Sequence, residues 1–179
     1  LNAVTKVTGT FPRLIKGDGT EVKIHRKEKA NILEQLNIVK FCKDHQADAM
    51  VFECMALQPR YQRITENQMI HATIGVITNI RLDHLDVMGP GIKDVAKALS
   101  NTVPKNKILF TGEDKHFQYL ERLCKKRNTK FHRSLRSSVS DEETKGFKYI
   151  EHKENVALAL DICAHLGIER KAALKEMKK

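Results

Sequence analysis

Tryptophan is absent from this sequence, aromatic residues make up only 6% of it, and cysteine is sparse at four in 179 residues. The cysteines, Cys42, Cys54, Cys124 and Cys163, stand far apart and never form a C-x-x-C pair. That spacing excludes the common zinc and dithiol-redox arrangements and leaves buried, reduced thiols as the expectation. No apolar run approaches the ~18 residues that a membrane-crossing helix needs, and no secretory signal pattern opens the chain, so a soluble chain is expected. There is no internal repeat, which sets aside a stacked-repeat architecture. The shortage of rings also bears on nucleic acids. Single strands are held by aromatic side chains interleaved with cations, and no basic stretch here carries such interleaving.

What is present reads as a folded domain. Hydrophobic residues make up 41% and charged residues 30%, a globular balance in a chain long enough to bury a core. Lys and Arg outnumber Asp and Glu by 32 to 22, a formal net charge of +10. On charge alone this fits either an anionic partner or an ordinary solvated basic surface.

Along the chain, strand and helix patterns alternate. The turn K-G-D-G, with Gly17 and Gly19 expected at positive φ, predicts a β-hairpin near residues 13–25. Ile32, Leu33, Leu36, Val39 and Phe41 recur at near-helical spacing in KANILEQLNIVKFCKDH, predicting an amphipathic helix. ADAMVFECMA has the length and bounds of a buried strand, ITENQMIHA of a short helix, and TIGVITNI of the next strand. GIKDVAKALSNTV predicts a helix stopped by Pro104, KILFTG a strand, HFQYLERLCKKRN a helix and TKFHRS a strand. SLRSSVSDEETKG follows as a loop, and NVALALDICAHLGI closes as a helix with Gly167 at its C-terminal cap. This order predicts an α/β fold with a mainly parallel sheet flanked by helices.

In such sheets ligands bind beyond the carboxyl ends of the strands. Two predicted strands end in chemistry-bearing residues, Glu53 after AMVF and Asn79 with Asp83 and His84 after VITNI. Carboxylate and imidazole together suit Mg²⁺ or Mn²⁺; caps and local ion pairs are the plainer alternative for the same residues.

Three segments carry a resemblance. VFECMALQPRYQ, ATIGVITNIRLDHLDVMGP and EHKENVALALDICAHLGI resemble the central, nucleotide-binding domain of the Mur ligase superfamily, a fold similar to P-loop NTPases. Within it, the order TKVTGTFPR, NILEQLNIV, FECMALQP, DHLDVMGP is most similar to the ligase subunits of capsular poly-γ-glutamate synthases. The resemblance implies ATP- and magnesium-dependent (or manganese-dependent) amide ligation, in which a carboxylate becomes an acyl phosphate, an amine attacks it, and ADP and phosphate leave. It gives Glu53 and His84 catalytic and metal-binding roles, with Asp83 orienting His84 or capping the turn. Asn155 is similar to the first asparagine of an H-N-x-x-N element near the nucleotide, with departures at Lys153 and Leu158, and Asn79 joins it as a cofactor-binding residue. Thr8, Thr10 and Arg13 of the T-G-T-F-P-R turn, with Arg60 and Arg81 near the strand ends, are the expected contacts to the growing acidic chain.

The superfamily's phosphate loop, a glycine-rich turn ending in G-K-S or G-K-T, is not matched. Phe11-Pro12-Arg13 stands where glycine and lysine would be required, so residues 1–179 read as one partial central domain that begins after that loop and is expected to be inactive alone. Some relatives carry a carbamylated lysine after the D-H motif. Here Lys93 and Lys97 follow while Leu99 stands at the counted position, so none is assigned and Lys97 is expected on the helix surface. The implied partners are glutamate, poly-γ-glutamate and small integral-membrane capsule subunits, which would place the protein in the cytoplasm at the inner membrane face. Nucleic acid is not among them, and a homo-oligomer is compatible. The rival readings are a folylpolyglutamate synthase-like Mur ligase, a basic nucleic-acid-binding module, and a non-catalytic scaffold docking through the helix near 152–166.

Overall fold

A computed structural model describes residues 2–8, 11–26 and 31–179. Thr10, an expected substrate contact, and Lys29 and Ala30, the expected start of the first helix, lie outside the described residues. The chain divides into two compact units, residues 1–71 and 72–179.

The first unit contains β1 (Ala3–Val7), β2 (Arg13–Ile15), β3 (Glu21–Lys23), α1 (Glu34–Asp44), β4 (Ala49–Phe52) and α2 (Pro59–Ile64), followed by a π-helical stretch, Thr65–Ile70. Its sheet has the order β3-β2-β1-β4. The two hairpin pairings are antiparallel, with Leu14 opposite Val22 and Lys6 opposite Leu14, and β1 runs parallel to β4 with Val4 opposite Met50. The predicted hairpin is therefore present. Gly19 takes φ +84° in its turn, a conformation that costs glycine least, and the Asp18 carboxylate accepts the Thr20 amide at 2.8 Å. Gly17 is not at positive φ as expected; it lies against Asn2, where a Cβ would meet Oδ1 at 3.0 Å. α1 buries Ile38 and Cys42, four residues apart on one face, against Val4 and Leu14 of the sheet.

Two further expectations are corrected in this unit. β4 is not a buried strand, since Met50 and Val51 are 44% and 53% exposed. It pairs only with β1 among the described residues, and an apolar run cannot reveal whether both its flanks are covered. The short helix predicted at ITENQMIHA begins earlier, because Pro59 at the first helical turn loses no intrahelical bond, and its second half is the π-helical stretch, ended by His71 at φ 50°.

The second unit contains β5 (Ile74–Ile77), α3 (Leu85–Met88), α4 (Ile92–Leu99), β6 (Ile108–Thr111), α5 (Phe117–Lys126), β7 (Lys130–Arg133), α6 (Asp141–Thr144), α7 (Lys153–His165) and α8 (Arg170–Met177). Its strands form an all-parallel sheet in the order β5-β6-β7. The middle strand is the most buried, with Leu109, Phe110 and Thr111 all inaccessible, as expected where both flanks are paired. Val95 and Ala96 of α4 and Leu120 and Cys124 of α5 pack on Ile77, Val103 and Leu109. Complete burial of Leu109 and Leu120 contributes ~1.5–3 kcal/mol each, and its own burial pushes the Cys124 thiol up to about 11. A second cluster joins Val139 to Val156, Ala157 and Leu160 of α7 and Ala173 of α8. Of the four free cysteines only Cys42 and Cys124 are buried; Cys54 is exposed, which corrects the uniform burial expected. Lys97 is exposed on α4, and Gly167 at φ +75° ends α7.

The loop-like S-D-E-E-T folds instead into α6, because Ser140 and Glu143 form a reciprocal capping box. The Arg170 guanidinium holds the Glu143 carboxyl down at about 2, helped by the Ser140 amide. A carboxyl depressed on folding adds stability that is present above its unfolded value, near 4.3, and is lost as pH falls toward 2. Acid titration of the unfolding midpoint should show this loss in the wild-type chain, and Glu143→Gln should flatten it between those two pH values.

Candidate functional site

β5, β6 and β7 run parallel and end together at Ile77, Thr111 and Arg133. Beyond their carboxyl ends, residues 79–81, 112–115, 133–137 and 139, with Lys153 and Glu154, line an open cavity of about 920 Å³. Its wall is organised by Thr111 and Glu113. The Thr111 hydroxyl donates to the Ile77 carbonyl at 2.7 Å and accepts the Glu113 amide at 3.1 Å. The Glu113 carboxylate, on a residue 3% exposed, accepts the Ile80 amide at 2.5 Å on one oxygen and the Lys115 and His116 amides at 2.8 Å on the other. One acidic side chain thus ties the loop after β5 to the turn that starts α5. Gly112 permits this closeness, since a Cβ there would stand 3.0 Å from the Thr78 carbonyl oxygen and 3.6 Å from that of Glu154.

Five basic residues, Arg81, Lys115, Arg133, Arg136 and Lys153, share the lining with the acidic Glu113, Asp114 and Glu154. Lys153 is engaged by Asp141 at 2.5 Å, an interaction that holds the Asp141 carboxyl below its ordinary range. The Arg133 guanidinium lies 4.1 Å over the Phe117 ring, an attractive cation–π arrangement. Its Nε and the hydroxyl of Ser134, a residue only 3% exposed, are buried without a hydrogen-bond partner.

Of the residues singled out in the sequence, Asn79 and Arg81 line this cavity. Asn155 sits in the first turn of α7 beside Lys153 and Glu154, which do line it. His84 immediately precedes α3 in the left-handed conformation, φ 47°. Its amide donates to Asp83 Oδ1 at 2.8 Å, and its Nε2 lies 3.7 Å from the same oxygen. In the first unit, the Glu53 carboxylate just beyond β4 accepts the Thr8 amide at 2.5 Å, so the parallel β1–β4 register brings these two together. Arg13 bonds Glu21 at 3.0 Å and the Phe11 carbonyl at 3.2 Å, and Arg60 is exposed on α2. Glu53 belongs to one unit and His84 to the other. Among the described residues no three metal-liganding side chains converge. Glu113, Lys115, Arg133, Ser134 and Arg136 were not singled out from the sequence. Extending the strand-end rule to T-G-E-D after KILF and R-S after TKFH would have found Glu113, Arg133 and Ser134, though not Lys115 and Arg136.

Residues 1–169 match the Mur ligase middle domain. The chain belongs to that family. Over 176 residues this Mur ligase domain is 41% identical to the capsule biosynthesis protein CapB of Bacillus anthracis, covering 97% of this chain and 38% of that protein. It is 38% identical to the PGA synthase CapB of Bacillus subtilis (strain 168), covering 97% and 45%. The chain therefore spans less than half the length of these curated relatives. Among solved structures, E. coli FolC in complex with DHPP and ADP superposes with a TM-score of 0.72 at 15% identity, over 99% of this chain and 50% of that one. The Yersinia pestis bifunctional folylpolyglutamate synthase/dihydrofolate synthase complexed with AMPPNP and Mn gives 0.71 at 14% identity, with the same coverage. At these identities the likeness shows the fold, a helix-flanked α/β domain as the sequence predicted.

Proposed function

We propose that the protein carrying this Mur ligase domain is an ATP-dependent amide ligase that extends poly-γ-glutamate in capsule biosynthesis. The observation that carries the reading is the 41% and 38% identity, over 97% of the chain, to proteins named for capsule biosynthesis and PGA synthesis. The D-H-L-D motif and the nucleotide-bound state of the structural neighbours support it.

In this reading a substrate carboxylate attacks the terminal phosphoryl group of ATP and ADP leaves. The amine of the next glutamate then attacks the acyl phosphate, forms the amide and releases phosphate. By donor chemistry the Glu53 carboxylate of the first unit and the His84 imidazole of the second, both solvent-accessible, are each a candidate ligand for a Mg²⁺ or Mn²⁺ ion. Such an ion would offset charge on the transferring phosphoryl group. The Thr8 amide fixes the orientation of the Glu53 carboxylate, and Asp83 fixes the turn that presents His84, as outer-shell groups do at metal sites. Asn79 and Asn155 contact the nucleotide. Thr8, Thr10, Arg13, Arg60 and Arg81 guide the polyanion, whose repeated carboxylates suit the planar guanidinium fork. The protein works at the cytoplasmic membrane face with small integral-membrane subunits. Among the described residues, no helix is long and apolar enough to cross a membrane.

The test is ADP release by the whole protein supplied with ATP, Mg²⁺ or Mn²⁺, glutamate and a γ-glutamyl acceptor. Glu53→Gln and His84→Ala should each raise the half-saturating metal concentration at least about tenfold. ADP release driven by a pteroate acceptor and not by the γ-glutamyl chain would replace the reading with a folylpolyglutamate synthase-like one. Salt-sensitive DNA binding with no ATP turnover would remove ligation altogether.

A further inference from the structure

The β7 side of the cavity contains charge and hydrogen-bonding capacity that the ligase reading leaves unused. Ser134 is 3% exposed, yet its Oγ is buried with no partner, and the adjacent Arg133 Nε is in the same state. Buried polar atoms are almost always satisfied, so two orphans on neighbouring residues lining one cavity are a chemical signal. Lys115 and Arg136 line it too, and neither they nor Arg133 form an ion pair with a carboxylate among the described residues.

A phosphate group would ordinarily seek the backbone amides at a helix N-terminus. At α5 that place is taken, because the Lys115 and His116 amides are already given to Glu113. Side-chain donors remain, one cation from each of three places: Lys115 after β6, Arg133 at the end of β7 and Arg136 in the turn beyond. Separate single charges around a cavity of about 920 Å³ match a chain of singly charged carboxylates better than one compact dianion. We propose that this side of the cavity is a subsite for the carboxylates of an oligo-γ-glutamyl segment. Ser134 Oγ and Arg133 Nε are the unpartnered donors within its wall, recruited as the segment binds, and Lys115 and Arg136 are its flanking cations. The choice of polymer rests on the proposed function; the anion-binding chemistry rests on the structure alone.

The test is equilibrium binding without ATP turnover. A γ-linked glutamate pentamer is titrated into the whole protein, and AMPPNP is titrated separately. Ser134→Ala removes an unpaired hydroxyl, so its thermal midpoint should hold or rise, while pentamer affinity falls about tenfold, the loss expected for one charge-assisted bond. Arg136→Gln, at an exposed position, should weaken the pentamer by a similar factor and reduce the salt dependence of binding. Neither variant should weaken AMPPNP. The proposal is overturned if the pentamer does not bind, if both variants bind it as wild type does, or if the loss falls on AMPPNP instead. The ligase reading fails separately, in ADP release, whatever these titrations give.

Discussion

Glu113→Ala is expected to destabilise the second unit by about 3 to 5 kcal/mol, a large share of the 5 to 15 kcal/mol that ordinarily holds a domain folded. Three backbone amides, of Ile80, Lys115 and His116, converge on this one carboxylate. Each bond to a charged acceptor contributes about 1.5 to 3 kcal/mol, and a buried amide without a partner costs about 1 to 3 kcal/mol. Water reaching the opened loops recovers part of the sum. Glu113→Gln separates shape from charge. Its single carbonyl oxygen can serve Lys115 and His116, but its NH₂ then faces the Ile80 amide, donor against donor, so this variant should lose about 1 to 3 kcal/mol. Denaturant unfolding measures both losses. Hydrogen exchange locates them, since the Ile80, Lys115 and His116 amides should be protected in wild type and exchange rapidly in Glu113→Ala. A loss below about 1 kcal/mol for alanine would mean that the two loops hold their positions without the carboxylate.

That residue illustrates where the sequence is readable and where it is not. The hairpin at K-G-D-G, the existence of the helix α1 and the strand–helix alternation are written locally, in turn residues and in periods of two and 3.6. The face α1 buries is not the one its spacing suggested, since Leu33 and Leu36 are exposed while Ile38 and Cys42 are buried. The edge position of β4 is not, because AMVF looks the same whether one or both of its flanks are paired, and pairing is decided by distant residues. The strand-end rule found Asn79 and Arg81 of the cavity because VITNIR follows an unmistakable strand. It passed over Glu113, whose role depends on three amides brought from two loops, and over Ser134, whose interest lies in the partner it lacks. Hydrogen-bond satisfaction is a property of packed coordinates and has no sequence period. The same strand-end rule singled out Glu53 and His84 as metal-friendly, and the resemblance of F-E-C-M and D-H-L-D to a known family supplied their roles. The geometry adds the Thr8 and Asp83 bonds that orient them.

In the first unit, Glu34→Gln should cost about 3 to 5 kcal/mol, because it strips the counter-charge from a buried ammonium. The Lys6 side chain has no solvent exposure, and its Nζ lies 3.4 Å from a Glu34 oxygen and 3.1 Å from the Met55 sulfur. Glu34 is also gripped by Arg26 through two bonds of 2.6 and 2.9 Å, which hold its carboxyl below the ordinary range. Burial lowers Lys6 although Glu34 opposes the shift. Both groups release protons more readily in the folded state, so both make stability rise with pH, each in its own window. Glu34 contributes stability above its unfolded value, near 4.3, that disappears as pH falls through its lower folded value. Lys6 holds fewer protons folded than unfolded over the range between its depressed folded value and about 10.4, so stability rises with pH across that window. Without Glu34 the ammonium loses its proton more readily. The cost of Glu34→Gln should therefore shrink as pH rises toward 10, and urea unfolding at neutral pH and near pH 10 measures the change. Lys6→Met supplies the control. A thioether chain of similar volume removes the charge and leaves the Arg26–Glu34 pair intact, so it should be neutral or stabilising by about 1 to 4 kcal/mol. In the Lys6→Met background, Glu34→Gln should cost only about 1 kcal/mol, since an ion pair near the surface is all that remains to break. An equal cost in both backgrounds would mean that the ammonium is not what Glu34 stabilises.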